Sequence, residues 1–235
     1  QHRFGVAQRA KLWYKNKFPP HILVMTATPI PRTLAMSIYG DLDFSIIKEL
    51  PPGRKQIKTY LMGENNRLRL FKFIREQIKI GRQVFIVYPL IEESQKMDYK
   101  DLMDGYESIC REFPLPTYKI SIMHGKMKTE AKDYEMKRFL QGKSQIMVST
   151  TVIEVGVNIP NANVMIIESA ERFGLSQLHQ LRGRVGRGSD QSYCILMKGE
   201  KISKDAEVRL QTMVKTSDGF EIAEVDLKLR GPGDI

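Results

Sequence analysis

Three arginines and three glycines lie within residues 178–188, LHQLRGRVGRG. On a helix, Gln180, Arg184 and Arg187 would fall at positions i, i+4 and i+7 and would share one face. Guanidinium groups bind phosphate through paired, rigidly oriented donors. Glycine inside a helix costs roughly 1 kcal/mol relative to alanine, so its presence indicates that another backbone or a ligand comes close. The segment predicts a polyphosphate site, because a solvated basic face would have no need of the glycines.

Two further segments carry hydroxyl groups next to apolar runs. Residues 25–32, MTATPIPR, hold Thr26 and Thr28 at a proline-stiffened turn, and residues 149–160, STTVIEVGVNIP, begin with three hydroxyl residues. Hydroxyls and loop N–H groups can hold phosphate oxygens of a nucleotide or a nucleic acid. Each segment alone also suits an ordinary turn, but the second stands between an apolar run and the arginine segment.

A histidine and a lysine follow a short apolar segment at residues 123–127, MHGKM. A lone histidine is as often structural as functional, so His124 is open to both interpretations. Lys126 could meet a phosphate backbone, because phosphate contacts dominate nucleic-acid binding by basic side chains.

Continuous apolar runs alternate with helical patterns along the chain. Such runs are typical of strands buried on both faces of a parallel sheet, and the alternation predicts a doubly wound α/β fold. Ligands of such sheets bind at the carboxyl ends of the strands, where we expect the motifs to lie. A helix with its apolar stripe at Leu68, Phe71, Ile74 and Ile78 is one of the intervening helices. The predicted strands are residues 21–25, 83–88, 145–149, 163–167 and 193–197.

The chain divides into three parts by composition. Residues 49–54, ELPPGR, are typical of a linker, because paired prolines and a glycine end any helix. We therefore expect residues 1–50 to be the tail of one domain and residues 51–200 to form a second. Residues 201–235 have the pattern of a helical hairpin. The first residue, Gln1, and the loop-like final residues indicate a piece of a longer protein.

Composition limits the classes of protein that fit. The 235 residues carry a formal charge of +10, which favours a polyanionic partner, although a basic surface for solubility is the alternative. Cys110 and Cys194 are far apart in apolar surroundings, as expected of two reduced thiols. No apolar run in the sequence is long enough to span a bilayer.

The order of these segments resembles that of the superfamily-two helicases. Thr26–Pro29 is similar to their motif III, residues 84–94 (VFIVYPLIEES) to motif IV, Thr150–Pro160 to motif V and Gln180–Arg187 to motif VI. Residues 1–6 resemble the tail of a DEQH motif II. The resemblance implies two RecA-like domains that close on ATP, and therefore a RecA-like parallel sheet with helices on both faces, followed here by a helical hairpin.

Within these helicases, the chain resembles the RecG group. Residues 218–223 (DGFEIA) and 229–233 (LRGPG) are similar to the start of the translocation hairpin that RecG shares with the transcription-repair coupling factor. The GPG ending, the phrase YGDLD at 39–43, the ELPPGR linker and the YPLIEES run favour RecG. The resemblance implies the C-terminal motor part of an ATP-dependent DNA helicase that regresses forks and migrates junctions in recombination and repair.

The resemblance also implies roles for individual residues. Arg187 would stabilise charge on the transferred phosphoryl group, a contribution worth about a thousandfold or more in rate. Arg184 would be a second phosphate contact and Gln180 a positioning group. The other residues that the resemblance assigns to ATP are His2, Glu154, Gly156 and Asn158. Those that it assigns to DNA contact or to coupling are Thr26, Thr28, His124, Lys126, Thr150 and Thr151.

One position departs from the family pattern, because Asn158 stands where members often carry aspartate. We expect the loss of that charge to alter how this loop handles water or metal-bound phosphate. ATP and Mg²⁺ are the expected cofactors, with the Mg²⁺ ligands upstream of residue 1. The chain contains no GxxxxGK[ST] segment, so it is expected not to hydrolyse ATP by itself.

The expected partner is branched DNA, such as forks and junctions, with a single-strand-binding protein as a further partner. The expected protein is monomeric, cytoplasmic and associated with the bacterial nucleoid, without a membrane attachment. Three alternatives stay open: a coupling-factor-type duplex translocase, a nucleic-acid-binding module that hydrolyses nothing, and a Rossmann-type phosphate enzyme. The last predicts a GxGxxG turn, which the sequence lacks.

Overall fold

The computed structural model describes residues 53–89, 95–150 and 159–230, with four isolated residues between 23 and 47. Only the backbone is described for 95–100 and 230. Within these ranges one sheet of six parallel strands has the order β1-β6-β5-β2-β4-β3. The strands are β1 (Lys58–Gly63), β2 (Gln83–Tyr88), β3 (Ile120–Met123), β4 (Ile146–Thr150), β5 (Ala162–Ile167) and β6 (Tyr193–Lys198).

Six α-helices connect or follow these strands in the described ranges, and none of them is long and apolar enough to cross a membrane. Short 3-10 turns, Glu64–Asn66 and Ala170–Arg172, precede two of them. The helices are α1 (Arg67–Lys79), α2 (Gln95–Glu112), α3 (Thr129–Leu140), α4 (Leu175–Arg182), α5 (Lys204–Lys215) and α6 (Gly219–Arg230).

Both faces of the sheet are buried, because successive residues of a strand point to opposite sides. In β2, Phe85 and Val87 pack with apolar side chains from α3, α4, α5 and α6. Val84 and Ile86 face the other side, where α1 and α2 cover them. The structure thus confirms the predicted α/β fold, a parallel sheet with helices on both faces followed by a helical hairpin, α5–α6.

Two strands were missed by the apolar pattern, and both lie at the edges of the sheet. An edge strand is covered less completely, so its sequence need not be continuously apolar. In β1, Lys58 and Tyr60 are exposed, and β3 has only four residues. Of the first predicted strand, 21–25, only Leu23 and Met25 are described, and neither is in a strand.

The buried face of α1 differs from the predicted stripe. Leu68 is 80% exposed, and Leu70 is buried together with Phe71 and Ile74. Phe71 and Ile74 of the predicted stripe are confirmed as buried, and Ile78 packs against the core. Only Leu68 was wrongly placed, because a period of 3.6 residues allows neighbouring faces to be drawn from the same apolar residues. Both cysteines are free thiols, Cys194 fully buried and Cys110 partly so.

Phe139 tests the packing of α3 on the sheet. Its buried ring lies 4.9 Å, centroid to centroid, from that of Phe85. Phe139→Ala should lower the free energy of unfolding by about 3–5 kcal/mol, because truncation leaves a cavity. Tyr134→Ala is the control on the same helix: this ring is 65% exposed, and its loss should cost less than about 0.5 kcal/mol. Urea unfolding measures both, and equal losses would contradict the packing.

Candidate functional site

The arginine segment is a helix end followed by a turn, and this corrects the first expectation. α4 ends at Arg182, and the backbone N–H of Gly183 donates to the carbonyl of His179 at 3.0 Å. Gly186 has φ +74°, a left-handed conformation that interrupts any helix. Gln180 is therefore helical, whereas Arg184 and Arg187 lie in the turn 183–188, and the three do not share a helix face.

The glycine of this turn is required by the protein's own packing. A Cβ on Gly186 would lie 3.0 Å from Cγ1 of Ile57 and 3.3 Å from its Cδ1. A Cβ on Gly188 would lie 3.3 Å from the carbonyl oxygen of Pro160. The close approach that the sequence predicted is therefore made by chain segments of this molecule, and the phosphate hypothesis depends on the arginines.

The two arginines of the turn form a small positive centre. Arg187 is exposed and Arg184 is partly buried. Burial lowers the pKa of the Arg184 guanidinium below its ordinary value, and the charge of Arg187 lowers it further. Two cations held close together, one of them partly desolvated, favour an anion with several oxygens, because it can accept from both guanidinium groups.

The turn lies at the side of the sheet where the parallel strands begin, here called the amino edge; the side where they end is the carboxyl edge. Its nearest neighbours, Ile57 and Pro160, come just before β1 and β5. The residue that precedes β6, Ser192, accepts a backbone hydrogen bond from Lys58 at 3.0 Å. The expectation that all candidate motifs lie at the carboxyl ends of the strands is therefore wrong for motif VI.

The DNA-assigned residues that the structure describes lie at the opposite, carboxyl edge. Thr150 ends β4, and His124 directly follows the last residue of β3. These two strands are neighbours in parallel register, with Met123 opposite Ser149. The structure therefore brings His124, Lys126 and Thr150 to one edge.

The β3 end is basic and polar. Lys126 is exposed, and the ammonium of Lys132 donates to the carbonyl of Gly125 at 3.2 Å, which ties the loop to α3. Burial lowers the pKa of His124, and the charges of Lys126 and Lys132 lower it further. His124 is thus held neutral beside cations that suit a phosphate backbone.

The β4 end carries two buried hydroxyls. Ser149 and Thr150 are at most 2% exposed, and neither side-chain oxygen has a hydrogen-bond partner within the described ranges. Residues 151–158 follow directly and join this carboxyl-edge position to Ile159 before β5. Seven assigned residues lie outside the described residues: His2, Thr26, Thr28, Thr151, Glu154, Gly156 and Asn158.

Arg182 is a residue that the sequence analysis overlooked. Its side chain is 3% exposed, and Nη1 donates to the carbonyls of Met213 and Thr216 at 2.9 Å each. These carbonyls belong to the end of α5, where a helix has no internal donors left. The available signal was spacing: Arg182 lies four residues after the buried Leu178, and so on the same face of α4.

The first helix of the hairpin, α5, is attached to the rest of the domain near both edges of the sheet. Arg182 binds the end of α5 near the arginine turn, and Gln56 donates to the hydroxyl of Ser217 in the α5–α6 connection at 2.6 Å. At the carboxyl edge, Arg209 donates to the carbonyl of Glu171 at 2.9 Å, and Lys198 pairs with Glu207 at 2.8 Å. α5 therefore runs from one edge of the sheet to the other.

Comparison with known proteins shows the family of the chain. The model of the helicase conserved C-terminal domain family matches residues 67–189. Over all 235 residues, the chain is 53% identical to the ATP-dependent DNA helicase RecG of Synechocystis sp. and 52% identical to that of Bacillus subtilis. It covers 28% and 34% of those proteins, a minor part of their length.

Two solved structures are similar to the chain. The structure of RecG bound to a three-way DNA junction has a TM-score of 0.77 and 45% identity, over 99% of this chain and 29% of that one. Domain 2 of the DEAD-box helicase Mss116p, bound to an RNA duplex, has a TM-score of 0.52 and 19% identity, over 68% of this chain and 61% of that one. The second similarity shows the fold alone, and that fold is the RecA-like sheet that the sequence predicts.

His179 links the pH to the stability of this site. Its Nδ1 lies 3.2 Å from Nη2 of Arg182 and must be unprotonated to accept from it. Burial and the charge of Arg182 lower its pKa below 6.5, while Asp218 partly opposes this. The unfolded chain therefore takes up the proton first, so the contribution of His179 to stability is present above about pH 6.5 and is lost as the pH falls.

We predict that His179→Gln flattens the pH dependence of stability. Between about pH 7.5 and about pH 5.5, the free energy of unfolding should fall less for the variant than for the wild type. The pH dependence of the free energy of unfolding that remains in the variant includes the contribution of His124, whose pKa is also lowered. Urea unfolding at each pH measures the difference, and parallel profiles would contradict the role of His179.

Proposed function

Since the chain belongs to the helicase conserved C-terminal domain family, we propose that it is part of the motor of an ATP-dependent DNA helicase that acts on branched DNA. One observation carries the proposal. Identity to RecG extends over the whole chain, including the hairpin, whereas the general family model ends at residue 189. The hairpin is thus shared with RecG beyond what the family model covers.

The proposed domain division follows the three composition segments. Residues 1–50 are the tail of the first RecA-like domain, residues 51–200 are the second, and residues 201–235 begin the translocation hairpin. The sheet between Lys58 and Lys198 and the start of α5 at Lys204 support these limits.

The two edges of the sheet take different ligands in this proposal. Arg184 and Arg187 at the amino edge contact the phosphates of ATP bound against the first domain, with Gln180 as a positioning group. Arg187 contacts the transferred phosphoryl group, because it is the more exposed of the two arginines. His124, Lys126 and Thr150 contact the DNA backbone at the carboxyl edge. The seven assigned residues outside the described ranges keep the roles that the helicase resemblance implies.

The hairpin transmits domain closure from one edge to the other. A displacement of the arginine turn also displaces Arg182, which lies just before Gly183. Arg182 is hydrogen-bonded to the carbonyls at the end of α5, so the displacement reaches that helix. α5 then carries the displacement to the carboxyl edge, where Arg209 and Glu207 are attached. A packed helix transmits such a shift as a unit, because close-packed interiors deform little.

ATP supplies the phosphoryl group, and Mg²⁺ neutralises charge on its oxygens. The described residues offer guanidinium donors that fit phosphate. They contain no cluster of three or more His, Cys, Asp or Glu side chains that could hold a metal. We assign the Mg²⁺ ligands to the first domain. The full-length protein is proposed to act as a cytoplasmic monomer near the nucleoid, with a single-strand-binding protein as a partner.

The first test is ATP hydrolysis by the full-length protein that contains this chain. Model forks should stimulate hydrolysis more strongly than linear duplex of equal length, because the proposed substrate is branched. The isolated chain should show no hydrolysis with either DNA. Equal stimulation by both substrates would contradict the branched-DNA proposal and would favour a coupling-factor-type duplex translocase.

Arg187→Ala tests the assignment of the transition-state contact. In the full-length protein it should lower kcat at least about a hundredfold, because an arginine in this role contributes that much or more. Fork binding should stay nearly unchanged. Arg111→Ala is the control, since it removes the same charge from an exposed position on α2. Equal loss of turnover and DNA binding in Arg187→Ala would point to a DNA contact or a folding role.

A further inference from the structure

The linker that enters the sheet makes direct contact with the arginine turn. Nε of Arg54 donates to the carbonyl oxygen of Gly186 at 2.6 Å, across 132 residues of sequence. Three residues later, Ile57 covers the open side of the same glycine. Gly186 is therefore held by a hydrogen bond and by an apolar contact, both from the segment 54–57.

The same segment also contacts the loop before β6 and the connection between α5 and α6. The carbonyl of Gln56 accepts from Nε2 of Gln191 at 2.8 Å, in the loop that leads to β6. The side chain of Gln56 donates to Ser217 at the hairpin connection. The segment 54–57 thus touches both the arginine turn and the connection that follows the end of α5.

The hydrogen bond of Arg54 acts on the peptide unit that leads into Arg187. The carbonyl of Gly186 and the backbone nitrogen of Arg187 belong to one planar peptide group. A hydrogen bond that fixes the direction of that oxygen therefore also fixes the direction of the N–Cα bond of Arg187. The preceding dihedrals belong to a glycine at φ +74°, the residue with the greatest backbone freedom. Without a tether, this peptide group could rotate and displace the arginine.

We propose that Arg54 is a positioning residue for Arg187, which it orients through the carbonyl of Gly186. The proposal rests on the proposed function of Arg187 and adds a residue outside the helicase motifs. The interdomain linker thereby helps to assemble the ATP site. Any movement of the linker during domain closure is transmitted to the arginine by one short chain of bonds.

The test is a double-mutant cycle on fork-stimulated ATP hydrolysis by the full-length protein. Arg54→Met keeps the length of the side chain and removes the donors. It should lower kcat roughly tenfold, because a misplaced catalytic group loses rate steeply with distance. KM for ATP and fork binding should each change less than about twofold, since Arg54 acts on the transition-state contact. The control is Lys55→Met, the exposed neighbour in the same linker, which should leave kcat unchanged.

The second arm of the cycle uses Arg187→Lys, which keeps the positive charge and is expected to retain measurable turnover. In that background, Arg54→Met should lower kcat by less than about twofold, because the residue that it orients is already altered. A tenfold loss in both backgrounds would overturn the proposal and indicate an independent role. An unchanged kcat in Arg54→Met alone would also overturn it.

Two further measurements separate other causes. Arg54→Lys keeps the charge and a donor, and it tests the hydrogen bond if Arg54→Met lowers Tm so far that folding is affected. A kcat near the wild-type value would support orientation by a hydrogen bond, and a tenfold loss of kcat in folded Arg54→Lys would overturn it. Arg187→Lys with wild-type kcat would refute the proposed function of Arg187 itself, so the two failures are distinguishable.

Discussion

All six described strands run in the same direction, and the rest of the structure follows from that constraint. Each connection between parallel strands leaves the carboxyl edge, crosses a face of the sheet and returns to the amino edge. Both faces are therefore covered by helices, and the sheet has two chemically different edges. The helix α4 crosses from the carboxyl edge to the amino edge and delivers the arginine turn there. Residues at the ends of β3 and β4 are left at the opposite edge.

The helix α5 spans the distance between these two edges and is attached near both of them. Its end is bound by Arg182, whose burial is compensated because it donates to two carbonyls that the helix itself cannot satisfy. Its other half is attached by Arg209 to the segment after β5. These polar contacts thus hold both halves of the helix, and Leu210 and Met213 pack it against the core.

The arginine turn depends on glycine for a structural reason. Gly186 reaches a left-handed conformation and accepts Ile57 at van der Waals distance, so the turn packs directly on the linker. The same contact places Arg54 within hydrogen-bonding distance of the turn. Val185 and Gly186 are buried, whereas Arg187 is exposed and Arg184 partly so, an arrangement compatible with the anion binding that we propose for this turn.

The sequence by itself determined the fold class, the central strands and the hairpin, because buried parallel strands and amphipathic helices leave periodic apolar patterns. It also identified the arginine and histidine segments, whose residue types limit their chemistry. The edge strands β1 and β3 were missed, because β1 is only partly buried and lacks a continuous apolar pattern, and β3 has only four residues. Only the tertiary structure decided that the arginines lie in a turn at the amino edge, that Arg182 binds the hairpin and that Arg54 reaches Gly186. These are contacts between residues far apart in sequence, and local periodicity carries no information about them.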